Sequence, residues 1–223
     1  MKLSQKLVLL AAVLTLFSMI IGSLSIWGMS NINHDVKDIS TNWLPAIKVV
    51  GEINGVVNEY RRNELVHILT TDEAVMREYE NTIRALTGKV ASKTRECEKL
   101  ISEPEEKVAF PKFMSSWNAY IANHAKTEEL SKQNKTEDAV KLVLGPALTQ
   151  YIDALQQPQI IIDLNNKGSQ ESAINAEEAY TNGKLLSISL IIASEYNVAF
   201  SVPTIFVTPN ALDSNSFLYL FVT

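Results

Sequence analysis

The stretch INHDVKDISTNWLPAIKVVGEINGVVNEYRRNELVH, residues 32–67, decides the fold of this chain. Every third or fourth residue along it forms a seam that is mainly apolar at first and polar at its end: Ile32, Val36, Ile39, Trp43, Ala46, Val50, Ile53, Val57, Tyr60, Glu64 and His67. Alternating steps of three and four predict a helix that packs on partner helices. Pro45 interrupts the pattern, because proline lacks a backbone N–H and its ring clashes with the carbonyl group four residues earlier. The helix is expected either to kink there or to start afresh with Asn42 as its N-cap.

An apolar run precedes this helix. Residues 7–27 carry no charge, whereas Lys2 and Lys6 lie before them. About twenty apolar residues, at about 1.5 Å each, cross a hydrocarbon core of about 30 Å. Because nearby positive charges stay in the cytoplasm, the chain after residue 28 is expected outside the membrane. The alternative is a cleaved signal peptide, whose apolar region is usually shorter, about 7–15 residues.

Three further segments show apolar residues at helical spacing. The stripe of the second contains Met76, Tyr79, Ile83, Leu86, Val90, Cys97 and Ile101, and that of the third contains Phe110, Phe113, Trp117, Tyr120 and His124. Pro104 suits the first turn of the third helix, and Pro111 is expected to make its start irregular. A fourth region begins near Glu137, is interrupted by Gly145 and Pro146, and is expected to bend at Pro158. The pattern predicts an all-α fold, an antiparallel up-down four-helix bundle that follows an N-terminal transmembrane helix.

Several polar residues are expected to meet near the end of the bundle that lies far from the membrane. Helix lengths of about 1.5 Å per residue place the following candidates at similar heights: Arg61, Arg62, Glu64, His67, His124, Thr149 and Tyr151. Two adjacent arginines offer donors that suit the carboxylate of a small ligand. Alternatively, each arginine pairs with Glu59 or Glu64 one turn away, and the histidines are hydrogen-bonded core residues. The aromatic residues Tyr60, Trp117 and Tyr120 are also compatible with an aromatic acid as the ligand.

Composition and motifs argue against several classes of protein. The net charge of -5 and the lack of a basic stripe argue against a nucleic-acid partner. The single cysteine, Cys97, allows no internal disulfide and is expected to fill a small space in the core. The sequence has no Cys/His cluster with metal spacing, no nucleophile elbow and no phosphate loop. We therefore predict no catalytic residue, no metal and no cofactor.

Three stretches carry a resemblance to a known family: STNWLPAIKVVGEINGVVNEYRRNELVHIL at residues 40–69, LTQYIDALQQ at 148–157, and LNNKGSQESAINAEEAY at 164–180. With the N-terminal anchor, they resemble the four-helix-bundle sensor region of bacterial methyl-accepting chemotaxis receptors, over about residues 1–194. The resemblance implies a homodimer in the bacterial inner membrane with its sensor domain, residues 29–183, in the periplasm. It also implies that an arginine late in the first helix and residues early in the fourth bind a small ligand, such as an amino acid or organic acid. These positions correspond to Arg61 or Arg62 and to Thr149 and Tyr151. Ligand binding in this family displaces a helix across the membrane.

The C-terminal residues depart from that pattern. Residues 184–206 are expected to form an incomplete or degenerate second transmembrane segment. Glu195, Tyr196 and Asn197 fall among its apolar residues, and no Lys or Arg follows Lys184. Residues 207–223 form an atypical tail. We expect a truncated or frame-shifted receptor that lacks the signalling part through which this family contacts its chemotaxis kinase and coupling protein. An authentic short membrane protein is the alternative for the ending. Two alternatives for function are a structural or adaptor bundle that binds a protein partner, and the sensor of a membrane histidine kinase.

Overall fold

A computed structural model describes residues 3–206, and these residues form six α-helices and one π-helical turn. The elements are α1 (Leu3–Asp38), the π-turn (Ile39–Trp43), α2 (Leu44–Leu69), α3 (Glu73–Glu98), α4 (Pro104–Lys132), α5 (Thr136–Leu144) and α6 (Pro146–Phe206). Within residues 3–206 there is no strand, so the predicted all-α fold is confirmed. Lys2 and the predicted tail, residues 207–223, lie outside the described residues.

The chain divides into two compact units. Within the described residues, one takes in 3–34 together with 175–206, and the other is Asp35–Ile174. Among the described residues, one continuous helical segment, Val8–Leu69, contains a stretch near the N-terminus that is long and apolar enough to cross a membrane. That stretch is not buried within the protein. The predicted domain boundaries at residues 28 and 183 stay predictions.

The second unit is the four-helix bundle, and the seam of α2 faces its core. Every seam residue from Ala46 to His67 is buried, as the spacing predicts. The prediction for Val36 is wrong, since its side chain is 51% exposed. The reason is the π-turn, which holds one more residue per turn than an α-helix and so shifts the phase of everything before it.

The π-turn also explains how the helix accommodates Pro45. The N–H of Leu44 donates to the carbonyl of Ile39, five residues earlier, so the backbone is wider next to the proline ring. The predicted capping role of Asn42 is wrong, because its side-chain amide donates to Ser102 Oγ at 3.0 Å. The first helix therefore continues through Pro45 without a fresh start.

The next two helices begin with side-chain caps. Asp72 Oδ1 accepts from the N–H of Ala74 at 2.8 Å and starts α3. Glu103 and Glu106 form a reciprocal capping box around the first turn of α4, where Pro104 lies as predicted. The irregular start expected from Pro111 is not observed, since α4 is helical from Pro104 onward and holds Pro111 inside it.

The fourth helix is interrupted where the sequence predicts. Helix α5 ends at Leu144, and α6 begins at Pro146. Gly145 is required between them, because a Cβ atom there would lie 2.8 Å from the carbonyl oxygen of Lys141. Helix α6 then continues through Pro158 as one element. We call Leu144–Pro146 the α5–α6 joint.

Candidate functional site

The buried carboxylate of Glu64 contacts three other side chains. We call these four residues the Glu64 cluster: Arg61, Glu64, Tyr120 and His124. Glu64 is fully buried. Its Oε2 accepts from Arg61 Nη1 at 3.0 Å and from the hydroxyl of Tyr120, and its Oε1 lies 3.0 Å from His124 Nδ1. The seam of α2 and the stripe of α4 bring these residues together, so the structure places three of the seven candidates, Arg61, Glu64 and His124, in one cluster.

The surroundings of Glu64 favour its ionised form. Burial acts to raise the pKa of Glu64, but the hydrogen bonds from His124 and Tyr120 and the charges of His124 and Arg61 outweigh it. The pKa of Glu64 therefore lies below its ordinary value of 4.5. Burial and the Glu64 charge raise the pKa of the Tyr120 hydroxyl, which keeps it protonated as a donor.

His124 lies between two carboxylates. Its Nδ1 faces Glu64, and its Nε2 lies 3.6 Å from Glu128 Oε2 on the next turn of α4. The distance from Nε2 to Glu128 exceeds that of a hydrogen bond, and Nε2 has no hydrogen-bond partner among the described residues. Tyr60 packs edge-on against the ring at a centroid distance of 5.1 Å, so His124 is a core residue, as one of the two alternatives predicted.

Arg61 is buried as well, with its side chain only 8% exposed. Besides the Glu64 contact, its Nη2 donates to the carbonyl oxygen of Val143, in the last turn of α5, at 2.8 Å. The guanidinium carbon lies 5.3 Å from the ring centroid of Tyr151 on α6. The side chain of Arg61 therefore has its polar contacts inside the protein.

Arg62, the next residue, has the opposite environment. Its side chain is 72% exposed and contacts Glu59 only at 4.0 Å, the length of a weak surface pair. Asn58 lies one turn earlier on the same face of α2, and its Oδ1 accepts from the hydroxyl of Tyr151 on α6 at 2.6 Å. Arg62 is thus the accessible cation beside the seam between α2 and α6.

The structure separates the two candidates at the start of α6. Tyr151 is half-buried and contacts α2 through Asn58, whereas Thr149 is exposed. Two residues span about 200° around a helix, so the two side chains leave α6 in nearly opposite directions. Thr149 is not part of the Glu64 cluster.

His67 makes a separate polar contact. Its Nε2 lies 3.3 Å from Glu80 Oε1 on α3, and Lys132 Nζ on α4 also lies 3.3 Å from that oxygen. The backbone carbonyl of His67 accepts from Ser131 Oγ at 2.9 Å. These contacts hold α2, α3 and α4 together and do not reach the Glu64 cluster.

The aromatic residues considered for an aromatic ligand belong to the core. Tyr60, Trp117 and Tyr120 are all buried, and the ring centroids of Tyr60 and Trp117 are 5.1 Å apart. Cys97 lies in the same core, as predicted, and burial together with the charge of Glu106 raises the pKa of its thiol to about 12.

Sequence reasoning missed a second buried carboxylate, Glu106. Its Oε2 accepts from the N–H groups of Ser102 and Glu103 at 2.9 and 3.0 Å, and its Oε1 accepts from the side-chain amide of Asn165 on α6. The spacing of Glu103 and Glu106 around Pro104 is the signal of a capping box. The contact with Asn165 had no local signal, because 59 residues separate the two.

Most of the chain is similar to a known protein family. Residues 1–180 match the model of a family described as a four helix bundle sensory module for signal transduction. No curated protein matches the chain at a significant level.

Proposed function

The chain belongs to the family of four-helix-bundle sensory modules for signal transduction, and we propose that it is the sensing part of a membrane chemoreceptor. The match over residues 1–180 is the observation that carries this proposal. In the proposed arrangement, the N-terminal helix anchors the chain in the bacterial inner membrane and residues 29–183 lie in the periplasm. Protease added to spheroplasts should then cleave within residues 29–183; protection in spheroplasts and cleavage only after lysis would contradict this orientation.

The proposed ligand is a small anion, such as an amino acid or organic acid, that binds at Arg62. An exposed guanidinium offers paired donors that match a carboxylate. The competing contact with Glu59 is long and solvent-exposed, so a ligand carboxylate can replace it at little cost. Asn58, one turn from Arg62 on α2, and its partner Tyr151 supply polar groups at the α2–α6 seam. Thr149 remains a predicted contact on a different face of α6.

A second copy of the chain is the proposed partner. Gly51 and Gly55 are exposed one turn apart on α2, and no atom lies within 4 Å of the position that a Cβ would occupy at either residue. This leaves room for another helix to approach the backbone closely. Gly51→Phe should therefore lower the sedimentation mass from dimer to monomer, whereas Gly88→Phe, at an equally open glycine of α3, should leave it unchanged. Equal masses for both variants would contradict a dimer through this face.

A thermal-unfolding screen of the full chain in detergent micelles tests the ligand. Glutamate, succinate and benzoate represent an amino acid, a dicarboxylate and an aromatic acid. A ligand at 100 times its Kd stabilises the folded state by about 2.7 kcal/mol, which raises the unfolding midpoint measurably. Arg62→Met should abolish the rise, whereas Arg84→Met, at an exposed arginine of α3, should preserve it. If no anion raises the midpoint, or if Arg62→Met responds as the wild type does, the proposed binding site is wrong.

A further inference from the structure

We infer that Arg61 is a positioning residue: it fixes the α5–α6 joint and, through it, the first turns of α6 against α2. This role rests on the proposed function, because Tyr151 in those turns lies beside the proposed anion-binding face at Arg62. Arg61 and Arg62 therefore serve one site in different ways, the first from inside the bundle and the second at its surface.

The first observation is the contact with Val143. Helix α5 ends one residue later, so the carbonyl group of Val143 lies in a last turn, where helix carbonyls lack an N–H partner from the same helix. Arg61 Nη2 supplies the missing donor at 2.8 Å. A cation is also favourable there, because the C-terminal end of a helix carries the negative end of its dipole.

The second observation is that the same guanidinium contacts the other neighbouring helices. Its Nη1 donates to Glu64, and its carbon lies 5.3 Å from the ring centroid of Tyr151 on α6 and 6.0 Å from that of Tyr120 on α4. These distances suit the attraction between a cation and an aromatic face. Because the guanidinium is planar, the contacts with Glu64 and Val143 fix its orientation. One side chain of α2 thus holds α4, α5 and α6.

The joint itself has few backbone bonds to hold it. Pro146 has no N–H, and Gly145 leaves the helical conformation with φ -98° and ψ -113°. The backbone bond from Leu148 N to Gly145 O, at 3.1 Å, restarts the helix on the far side. The Arg61–Val143 bond is a polar link from the end of α5 to α2, beside the apolar packing of Val143 with Ile68.

The same geometry argues against a ligand contact for Arg61. Its side chain is 8% exposed, and each terminal nitrogen already donates to a protein oxygen at 3.0 Å or less. Because the guanidinium is buried, a ligand carboxylate could reach it only by displacing the groups packed around it, and displacement of Glu64 would leave a buried carboxylate without this cation. Removal of one partner of a buried ion pair is strongly unfavourable, so an incoming anion has a better partner in Arg62.

Amide hydrogen exchange of the full chain in detergent micelles tests this inference without any ligand. The decisive variant is Arg61→Met/Glu64→Leu, which removes both buried charges and so avoids an unpaired carboxylate in the core. The Tyr120 hydroxyl and His124 Nδ1 lose their acceptor in this variant, so global stability falls as well, and exchange in α3 reports that shared loss. The carbonyl of Val143 also loses its donor. Exchange at Leu148, whose N–H bonds to the carbonyl of Gly145, and at the other amides of residues 145–149 should therefore accelerate by at least about tenfold more than exchange in α3 does, the factor expected when one charge-assisted hydrogen bond is lost.

Two controls are needed to interpret the exchange rates of the double variant. Arg62→Met, one residue away, should leave exchange at residues 145–149 and in α3 as in the wild type. Wild-type protection at residues 145–149 in the double variant would overturn the inference, and so would acceleration by the same factor across all four helices. Anion binding is a separate measurement: if no anion binds, the proposed function fails, but exchange at the joint still decides the role of Arg61.

Discussion

The Glu64 cluster and the region around Trp43 both bury polar side chains between helices of the bundle, but they satisfy them by different means. The Glu64 cluster uses charges, with a carboxylate between an arginine and a histidine. In the Trp43 region, the indole Nε1 donates to Ser172 Oγ at 3.2 Å, and the ring packs against Gly168. The first region depends on charge compensation, and the second depends on steric fit and neutral hydrogen bonds. This difference predicts different responses to substitution and pH.

The largest effect is expected for Glu64→Leu. This variant leaves the buried guanidinium of Arg61 without its carboxylate, which costs about 3–5 kcal/mol of unfolding free energy. Glu106→Leu removes an equally buried carboxylate, but its partners are two backbone N–H groups and a neutral amide, so the cost should be nearer 1–3 kcal/mol. Urea unfolding followed by tryptophan fluorescence measures both. Equal costs would contradict the claim that a buried carboxylate compensated by charges is costlier to remove than one held by neutral donors.

Next in size is Gly168→Ala in the Trp43 region. A Cβ at Gly168 would lie 2.9 Å from three atoms of the Trp43 ring, so the indole must move and its packing is lost. Overpacking of this kind costs about 1–3 kcal/mol. The control is Gly88→Ala, at an open helical position of α3, which should be slightly stabilising by up to about 1 kcal/mol. A Gly168→Ala variant as stable as Gly88→Ala would show that the Trp43 contact does not restrict this face of α6.

Acid should affect the Glu64 cluster specifically. The pKa of Glu64 is lowered in the folded state, so its contribution to stability is present above the ordinary value of 4.5 and is lost as the pH falls through the lower folded value. The urea midpoint of the wild type should therefore fall more steeply below about pH 4.5 than that of Glu64→Gln, which has no carboxyl group to protonate at this position. The pKa of Glu80 is also lowered, and its effect should be the same in both proteins. Parallel midpoint curves would contradict the stabilising role assigned to the Glu64 charge.

The smallest effect is expected for Ser172→Ala. The Nε1 donor of Trp43 loses its acceptor, and a neutral hydrogen bond contributes about 0.5–1.5 kcal/mol. Trp43→Phe removes the same bond from the other side together with part of the indole packing, so the double variant should cost no more than Trp43→Phe alone. Additive costs in the double variant would show that the two side chains act independently.

The sequence predicted the helices well and their long-range polar contacts only partly. The seam from Ala46 to His67 was predictable from its periodicity, because most of its buried positions hold apolar residues at helical spacing. Glu64 was recognisable as a polar residue on an otherwise apolar seam. The contact of Arg61 with Val143 was not predictable, since it joins a side chain to a backbone carbonyl 82 residues away. The π-turn was not predictable from the sequence, because a helix can accommodate Pro45 with several backbone conformations.

The central claim is that two adjacent arginines have different tasks, and anion binding to three proteins tests it most directly. Isothermal titration of the full chain in detergent micelles with glutamate, succinate and benzoate should compare the wild type with Arg62→Met and with Arg61→Met/Glu64→Leu. The account predicts that an anion that binds the wild type loses its measurable heat in Arg62→Met and still binds the double variant, with an affinity weakened by less than about tenfold, the lower end of the factor lost with a direct charge-assisted bond. Undiminished binding to Arg62→Met, together with complete loss in the double variant, would contradict it.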